Sequence, residues 1–391
     1  MKYNFDKVID RSGTSAEQVE GLKHIWGRTD LIPLWVADMD FATAPFVTDA
    51  IRKRCENEVL GYTGKPDSYY NAIINWVKQR YDLIVTKEVI NFVPGIVPGI
   101  GMAMNCFTQK GDKVMIQPPV YHPFAWVTTR NERTLVINPL RWENGMYRMD
   151  LDAFREQIKG CKLFILCNPH NPGGVVWTEA ELRAIADICY DEKVLVFSDE
   201  IHADLTLPPH THRPFATVSE KARMNSVTFM SPSKAFNMPG LSASHALIFN
   251  EDLRKRFRIY MDAGELDMGH VFAFLSVEAA YSHGTEWLDQ CLAYIQGNID
   301  FVDEFLKKHA PKIKAIRPEA SYLVWLDCRE LELSQKDLNE FFVDKAHLAL
   351  NDGEMFGKEG IGFMRLNVAS PRCIIEKAMK QLADAYQLYI K

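Results

Sequence analysis

Residues 227–237 read VTFMSPSKAFN, an apolar run that ends in a serine-rich turn carrying Lys234. Working outward from this stretch, short apolar runs separated by turn residues recur from about residue 85 to residue 250. The predicted strands are Val89–Phe92, Lys113–Gln117, Leu163–Cys167, Val194–Ser198, Val227–Met230 and His245–Phe249. Apolar positions at helical spacing between Thr178 and Tyr190 predict a helix that crosses between strands. The pattern therefore predicts an α/β fold with a mostly parallel sheet covered on both faces by helices.

Beyond about residue 289 the pattern changes. A long amphipathic helix is followed by a strand at 321–326, a helix from Ser334, a strand at 362–367 and a last helix opened by Ser370 and Pro371. This order predicts a smaller α+β domain. We expect an N-terminal arm over residues 1–45 that packs with the small domain, a large domain over 46–288 and the small domain over 289–391.

Composition limits the classes of partner. The 391 residues carry 45 Lys plus Arg against 51 Asp plus Glu, a net charge of −6, which argues against nucleic acid or an anionic membrane as the main partner. No apolar run reaches the length of a signal peptide or a membrane span, so a cytoplasmic protein is expected. The eight cysteines lack metal-ligand spacing, and Cys161, Cys167 and Cys189 lie in apolar segments, which predicts reduced core residues and no metal site.

The loops after the predicted strands carry an unusual set of polar residues. Residues 168–174 read NPHNPGG, Asp199 ends one apolar run, and residues 94–99 read PGIVPG at the start of a helix. Ligands bind at the carboxyl ends of strands in parallel sheets, so these loops are expected to meet Lys234. A lysine amine can bind an aldehyde as a Schiff base, and helix N–H groups with serine hydroxyls can hold phosphate. A covalently held phosphate cofactor is the resulting hypothesis, and an ordinary lysine in a surface turn is the alternative.

The ordered set N-P-x-N-P-x-G at 168–174, S-D-E at 198–200, S-x-S-K at 231–234 and Arg365 resembles the fold-type I pyridoxal-phosphate enzymes of the class I and II aminotransferase superfamily. The resemblance covers essentially the whole chain. Within that superfamily the chain is most similar to the bacterial cystathionine β-lyase or C-S lyase branch related to the maltose-regulon modulator. That second likeness lies in the segments PLWVADMDF at 33–41, GY at 61–62, PPVY at 118–121, DEIH at 199–202 and KAFN at 234–237.

The resemblance implies a fold-type I architecture, in which the large domain has a mostly parallel sheet of the seven-stranded type. It also implies pyridoxal 5′-phosphate as the cofactor. Lys234 would hold the cofactor as a Schiff base and later remove the Cα proton of the substrate. Asp199 would pair with the ring nitrogen, and Asn171 and His202 would donate to the phenolate oxygen. Tyr121 would stack on the ring. Lys234, Tyr121 and Asp199 are therefore the predicted catalytic residues.

The resemblance also implies a phosphate site and a substrate site. Backbone N–H groups of Gly95, Ile96 and Val97 and the hydroxyls of Ser231 and Ser233 would bind the phosphate. Aspartate-type aminotransferases carry an arginine shortly after the lysine, but residues 238–242 read MPGLS, so the phosphate must depend on these groups and on a partner subunit.

A homodimer is expected, in which Tyr62 reaches the partner's cofactor phosphate. Four residues are predicted to bind the substrate, a small amino acid: Arg365, Asn171, Trp35 and Ala37. Arg365 would grip the α-carboxylate with two parallel hydrogen bonds, which lysine could not reproduce.

Several of these residues have a structural alternative. Asp199 could cap a helix or lie in a surface turn, and Arg365 could form a structural ion pair. His202 could be a buried histidine bonded to backbone, whereas core packing would explain Tyr121 and Trp35.

Two reactions fit the predicted site. With a leaving group such as thiolate on Cβ, β-elimination yields a thiol, pyruvate and ammonia; otherwise the enzyme is an aminotransferase. The segments WVADMD at 35–40 and DEIH at 199–202 favour β-elimination from cystathionine or cysteine S-conjugates. A protein-binding transcriptional modulator is a remote third alternative, which no residue pattern in the chain supports.

Overall fold

The computed structural model describes residues 2–389. Within that range there are thirteen α-helices: α1 Glu17–Trp26, α2 Pro45–Cys55, α3 Asp67–Tyr81, α4 Ile96–Phe107, α5 Pro123–Arg130, α6 Leu151–Gln157, α7 Glu179–Asp191, α8 Glu220–Met224, α9 Glu251–Ala263, α10 Val271–His283, α11 Thr285–His309, α12 Gln335–Glu340 and α13 Arg372–Tyr389. None of the helices described between residues 2 and 389 is long and apolar enough to cross a membrane.

The same residues form fifteen strands: β1 Ile32–Pro33, β2 Ile90–Val93, β3 Lys113–Ile116, β4 Thr134–Ile137, β5 Arg141–Glu143, β6 Met146–Arg148, β7 Cys161–Cys167, β8 Leu195–Asp199, β9 Ser226–Met230, β10 Ser244–Leu247, β11 Lys314–Ile316, β12 Leu323–Asp327, β13 Leu348–Ala349, β14 Asn351–Asp352 and β15 Phe363–Asn367. Each of the six strands predicted for the large sheet is present, with ends that differ by at most two residues.

The main sheet has seven strands in the order β2-β10-β9-β8-β7-β3-β4. Its strands run parallel except β10, which is antiparallel to both β2 and β9. The predicted α/β fold with a mostly parallel sheet is thus confirmed. Strand β4 was absent from the prediction because it lies at the sheet edge, where Thr134 and Ile137 are exposed and the apolar run is short.

Helices cover both faces of this sheet, as its continuous apolar strands require. Phe197 and Phe229 are fully buried on one face under α4 and α9, and burial of each ring contributes roughly 1.5–3 kcal/mol. Helix α7 begins at a capping box in which Thr178 and Glu181 satisfy each other's backbone N–H groups. The main-sheet strands are thus held in a covered layer, which fixes the positions of the loops at their ends.

A second sheet of four antiparallel strands, in the order β11-β12-β15-β14, lies in the C-terminal part of the chain. The α+β order predicted there is present, although α12 is short and passes into a π-helical turn at Phe341–Lys345. The N-terminal arm joins this part, because β1 pairs in parallel with β13 through Ile32 and Leu348. The domain limits at residues 45 and 288 stay a prediction.

Candidate active site

A cavity of about 200 Å³ opens where β7, β8 and β9 end. Cys167, Asp199 and Phe229 are register partners across these three strands, so the loops that follow start at the same edge of the sheet. Most of the predicted site residues line this cavity: Ala37, Gly95, Ile96, Val97, Tyr121, Asn171, Asp199, His202, Ser233 and Lys234. Four predicted residues do not line it: Tyr62, Ser231, Trp35 and Arg365.

Lys234 follows β9 and extends its amine into the cavity. Its Nζ donates a hydrogen bond to the carbonyl oxygen of Ala37 in the N-terminal arm. Burial lowers the pKa of Lys234 to about 8, although the carboxylates of Asp38 and Asp199 act in the opposite direction. About a tenth of the amine is therefore neutral near pH 7, far more than for an ordinary lysine, and the neutral amine is the form that attacks an aldehyde and accepts a proton.

Asp199 is the last residue of β8 and is buried. Its Oδ1 accepts a hydrogen bond from the N–H of Ile201 at 3.1 Å, and within residues 2–389 it forms no ion pair. Burial raises the pKa of this carboxyl to about 7. A buried carboxyl that faces a cavity and forms no ion pair favours the binding of a ligand that carries a protonated nitrogen.

Glu200 lies next to Asp199 but points away from the cavity. Its carboxylate accepts from Ser198 Oγ at 2.8 Å and from the N–H of Phe215 at 2.8 Å, and it lies 2.8 Å from His212 Nε2. Neighbouring acids at a strand end thus have separate environments, because successive side chains alternate between the faces of a sheet. Glu200 anchors the loop, whereas Asp199 is left for a ligand.

Arg365 lies on β15, buried beside the cavity rather than in its wall. Its Nη1 donates to Asn171 Oδ1 at 3.1 Å, and its Nη2 donates to the carbonyl of Trp35 at 3.0 Å and to Asn351 Oδ1. The Nε has no hydrogen-bond partner among the described residues although it is buried. No carboxylate of residues 2–389 pairs with this guanidinium, so the structural ion pair is not formed. Burial lowers the pKa of Arg365 to about 10, which keeps it cationic at neutral pH.

Asn171 is oriented by this contact. Because its Oδ1 accepts from Arg365, its Nδ2 is left to donate toward the cavity. The turn that carries it is compact: the N–H of Asn171 donates to Cys167 Sγ at 3.3 Å, and Gly174 has a φ of 68°. A Cβ at Gly174 would lie 2.5 Å from Pro318, so only glycine fits there.

The start of α4 lines one part of the cavity. Gly95 caps the helix with a φ of 130°, and Ile96 and Val97 are its first two residues, whose N–H groups have no acceptor within the helix. A helix start of this kind binds anions. No arginine, and no lysine other than Lys234, lines the cavity formed by residues 2–389.

The serines are distributed differently from the prediction. Ser233 lines the cavity, but the hydroxyl of Ser231 donates to the carbonyl of Ala243 at 2.7 Å and accepts from the N–H of Ser233 at 3.1 Å. Ser231 therefore supports the loop from within the wall. Ser242 and Ser244 line the cavity in its place, and neither is among the predicted site residues. Ser242 ends the segment 238–242 from which the expected arginine is absent, and Ser244 is the first residue of β10, so only the packing of this segment shows that they reach the cavity.

His202 and Tyr121 border the remaining sides. His202 is buried, its Nδ1 has no partner among the described residues, and burial lowers its pKa to about 3, so the ring is neutral. Among residues 2–389, no backbone group forms a hydrogen bond with the ring of His202. Burial raises the pKa of Tyr121, so its hydroxyl stays protonated. Both side chains can therefore act as neutral hydrogen-bond groups toward a ligand.

Trp35 and Tyr62 lie outside the cavity. The indole of Trp35 packs edge-on against Trp26, with ring centroids 5.3 Å apart, and donates to the carbonyl of Gln18 at 3.2 Å. Only the backbone carbonyl of Trp35 reaches the site, through Arg365. Tyr62 is 97% exposed in an irregular segment between α2 and α3.

These groups fit pyridoxal phosphate. The amine of Lys234 can bind the aldehyde, and the carboxyl of Asp199 can pair with the ring nitrogen. The amide of Asn171 can donate to the phenolate oxygen of the ring. The aromatic ring of Tyr121 offers a stacking surface. The open helix start at Ile96 offers N–H groups to a phosphate.

Comparison with known proteins agrees with this fit. The sequence profile of the family described as aminotransferase class I and II matches residues 29–382. The chain is 38% identical to the cystathionine beta-lyase PatB of Bacillus subtilis (strain 168), over 98% of this chain and 99% of that protein. Its structure is similar to cystalysin from Treponema denticola, which contains a pyridoxal 5′-phosphate cofactor, with a TM-score of 0.96, 33% identity and 100% of each chain covered. It is also similar to the pyridoxal-phosphate-bound C-S lyase from Staphylococcus hominis, with a TM-score of 0.91 and 35% identity over 99% of this chain and 98% of that one.

Proposed function

Because the chain belongs to the class I and II aminotransferase family, we propose that it is a pyridoxal-phosphate-dependent lyase that breaks the carbon–sulfur bond of cystathionine or of related cysteine S-conjugates. The products are a thiol, pyruvate and ammonia. The observation that carries the proposal is the cavity in which the Lys234 amine meets Asp199 and Asn171, in a chain similar over its full length to lyases. The cytoplasmic location stays a prediction.

The residues that hold the cofactor are those lining the cavity. Asp199 would pair with the ring nitrogen, Asn171 and His202 would donate to the phenolate oxygen, and the start of α4 with Ser233 would bind the phosphate. When bound, the cofactor withdraws electrons from the Cα of an attached amino acid and so makes its Cα–H acidic. With a pKa raised to about 7, Asp199 is only partly ionised near neutral pH, and a cationic ring nitrogen would favour its carboxylate form.

The substrate is oriented from the opposite side. Arg365 has a buried, unpartnered Nε and no carboxylate partner among the described residues, so an α-carboxylate would supply its counter-charge. Asn171 contacts Arg365 directly and would place the substrate between the guanidinium and Lys234. Orientation of this kind is a large part of catalysis, since a misplacement of about 1 Å can cost 10²-fold in rate.

Lys234 moves the proton. Its neutral Nζ accepts the proton of Cα, the electron pair of that bond forms the Cα–Cβ double bond, and the Cβ–S bond breaks with both electrons leaving on sulfur. The protonated Nζ then holds the proton that the thiolate requires. Addition of one water to the remaining three-carbon unit gives pyruvate and ammonia, which balances the reaction.

An aminotransferase is the second candidate, since the family is described by that activity. The two are separated by incubating purified holoenzyme with cystathionine and no keto acid. A lyase releases thiol and pyruvate over many turnovers and keeps the visible absorbance of its cofactor. An aminotransferase stops after one turnover with that absorbance lost, which would contradict the proposal.

We also propose that the enzyme acts as a homodimer in which Tyr62 reaches the cofactor phosphate of the partner subunit. Support comes from the 97% exposure of Tyr62, from the exposed Leu60 and Met268 beside it, and from the lack of any arginine in the cavity of residues 2–389. An exposed apolar patch of this kind suits an interface.

Mixed dimers test the role of Tyr62 directly. Subunits carrying Lys234→Ala and subunits carrying Tyr62→Ala are each expected to be impaired. If Tyr62 acts across the interface, a hybrid dimer of the two contains one intact site and regains activity. If it acts within its own subunit, the hybrid contains no intact site and activity does not return.

A further inference from the structure

Residues Trp35–Phe41, called here the strap, cross the site without belonging to a helix or strand. The strap leaves β1 and passes between the Lys234 loop and β15. Its backbone is held largely by side chains from those two regions. An irregular segment needs such partners, since its N–H and C=O groups cannot bond to each other in a regular pattern.

Asn237 holds the far end of the strap. Its Nδ2 donates to the carbonyls of Met39 at 2.9 Å and Phe41 at 2.7 Å, and its Oδ1 accepts from the N–H of Met39 at 3.0 Å. Its own carbonyl accepts from Thr43 Oγ1 at 2.7 Å. Asn237 lies three residues after Lys234 and adopts a φ of 53°. The same loop therefore carries both the amine and this clamp.

Asn367 holds the near end. Its Nδ2 donates to the carbonyls of Val36 and Asp38, each at 2.7 Å, while its Oδ1 accepts from the N–H of Ala369 at 2.8 Å. Asn367 is buried and lies two residues after Arg365 on β15. The strand that carries the guanidinium thus carries the second clamp.

Beside these contacts, two strap carbonyls meet the two basic side chains of the site. The carbonyl of Ala37 accepts from Lys234 Nζ and from Tyr322 Oη, the latter at 2.9 Å. The carbonyl of Trp35 accepts from Arg365 Nη2 at 3.0 Å. Asn367 holds Val36 and Asp38, the residues on either side of Ala37, and Val36 also follows Trp35 directly. Asn237 holds the next part of the strap at Met39 and Phe41.

We propose that Asn237 and Asn367 are positioning residues, which hold the strap so that the carbonyls of Ala37 and Trp35 orient the amine of Lys234 and the guanidinium of Arg365. The inference rests on the proposed function, because Lys234 is its base and Arg365 its carboxylate ligand. Asn367 holds the residues on either side of Ala37 and therefore acts on both Arg365 and Lys234. Asn237 acts on Lys234 through the loop that carries them both.

The test uses the holoenzyme with Asn237→Ala, Asn367→Ala and a matched control, Asn250→Ala. Asn250 also makes three backbone bonds, to the carbonyl of Met224 and to the N–H groups of Asp252 and Leu253, but none to the strap. Hydrogen–deuterium exchange of the peptide over residues 35–41 is measured first. Exchange is expected to rise about tenfold in the two clamp variants and to stay unchanged in the control.

Steady-state kinetics with cystathionine then separate positioning from general stability. Asn367→Ala is expected to raise KM about tenfold and to lower kcat as well, whereas Asn237→Ala is expected to lower kcat about tenfold with KM within about twofold. If Asn237→Ala fails to fold, Asn237→Asp replaces it, since aspartate keeps the acceptor for Met39 and loses both donors.

Three outcomes would overturn the inference. In the first, exchange of the strap does not change in the clamp variants. In the second, exchange rises but the kinetic constants stay at wild-type values. In the third, all three variants lose kcat/KM in equal proportion. If wild-type enzyme released no thiol from cystathionine, the proposed function would be wrong. The exchange measurement would still show whether Asn237 and Asn367 hold the strap.

Discussion

The cavity has two walls that are built in different ways. The sheet wall consists of loops at the ends of β7, β8 and β9, where Asn171, Asp199 and Lys234 take their places from strand register. The opposite wall is formed by Ala37 of the strap and is backed by Arg365, which is joined to the strap by hydrogen bonds between residues about 330 positions apart, such as that from Arg365 to Trp35. A wall fixed by backbone register changes little when one side chain is altered, whereas a wall of side-chain bonds depends on each of them.

The two walls also differ in charge. The sheet wall holds an acid whose pKa is raised to about 7 and an amine whose pKa is lowered to about 8, both by burial. The opposite wall holds a guanidinium whose nearest groups are amides and a carbonyl. We therefore expect changes in the sheet wall to affect the chemical step and changes in the opposite wall to affect substrate binding.

The largest effect is expected for Lys234→Ala in the sheet wall. It removes the amine that binds the aldehyde and accepts the Cα proton, so thiol release should fall by at least about 10³-fold. Stopped-flow or long-time assays of thiol release measure it, and dialysis should remove the cofactor from the variant. Thiol release within tenfold of wild type would contradict the role assigned to this residue.

Asp199→Asn is expected to have the next largest effect. Without the carboxylate the ring nitrogen loses its ionic partner, and kcat should fall by about 10²-fold with a smaller change in KM. Steady-state kinetics and the visible spectrum of the cofactor measure it. The neighbouring Glu200→Gln serves as control, because Glu200 faces Ser198 and His212: it should lower the melting temperature and change kcat less than Asp199→Asn.

Arg365→Lys tests the opposite wall. The lysine keeps the charge but loses the two parallel bonds to a carboxylate, worth about 1.5–3 kcal/mol, so KM should rise roughly 10- to 100-fold with kcat affected less. A matched control is Arg329→Lys, since Arg329 forms a surface pair with Asp327 at 2.7 Å, and this change should leave KM unaltered. A fall in kcat without a rise in KM would break the contrast between the walls.

The smallest effect is a shift in pH dependence. In the cofactor-free protein Lys234 should react with an amine reagent with a midpoint at about pH 8 rather than at its ordinary pKa of 10.5. The folded pKa lies below the unfolded value, so burial of this group destabilises the folded state below about pH 8, and that cost disappears as pH rises from about 8 to about 10.5. Mass spectrometry of the labelled lysine gives the midpoint, and a midpoint above 10 would show that the amine is not buried as described.

The parts of the fold that could be predicted from the sequence are those where local pattern and topology agree. The six large-sheet strands and the loop residues after them came from apolar runs and turn signals, and a parallel sheet brings its strand ends together whatever the details of packing. The residue roles came from ordered motifs. Trp35 shows where such reasoning stops, because its indole packs against Trp26 and only its carbonyl reaches Arg365.

The sequence by itself determined the α/β fold, the cofactor and the order of Asn171, Asp199, Lys234 and Arg365 along the chain. Tertiary structure alone decided that Ser231 lies within the wall while Ser242 and Ser244 line the cavity. It alone also decided that Asn237 and Asn367 hold the strap. The physical reason is range: strand and turn preferences depend on neighbouring residues, whereas these bonds join segments that only the packed fold brings within 3 Å of each other.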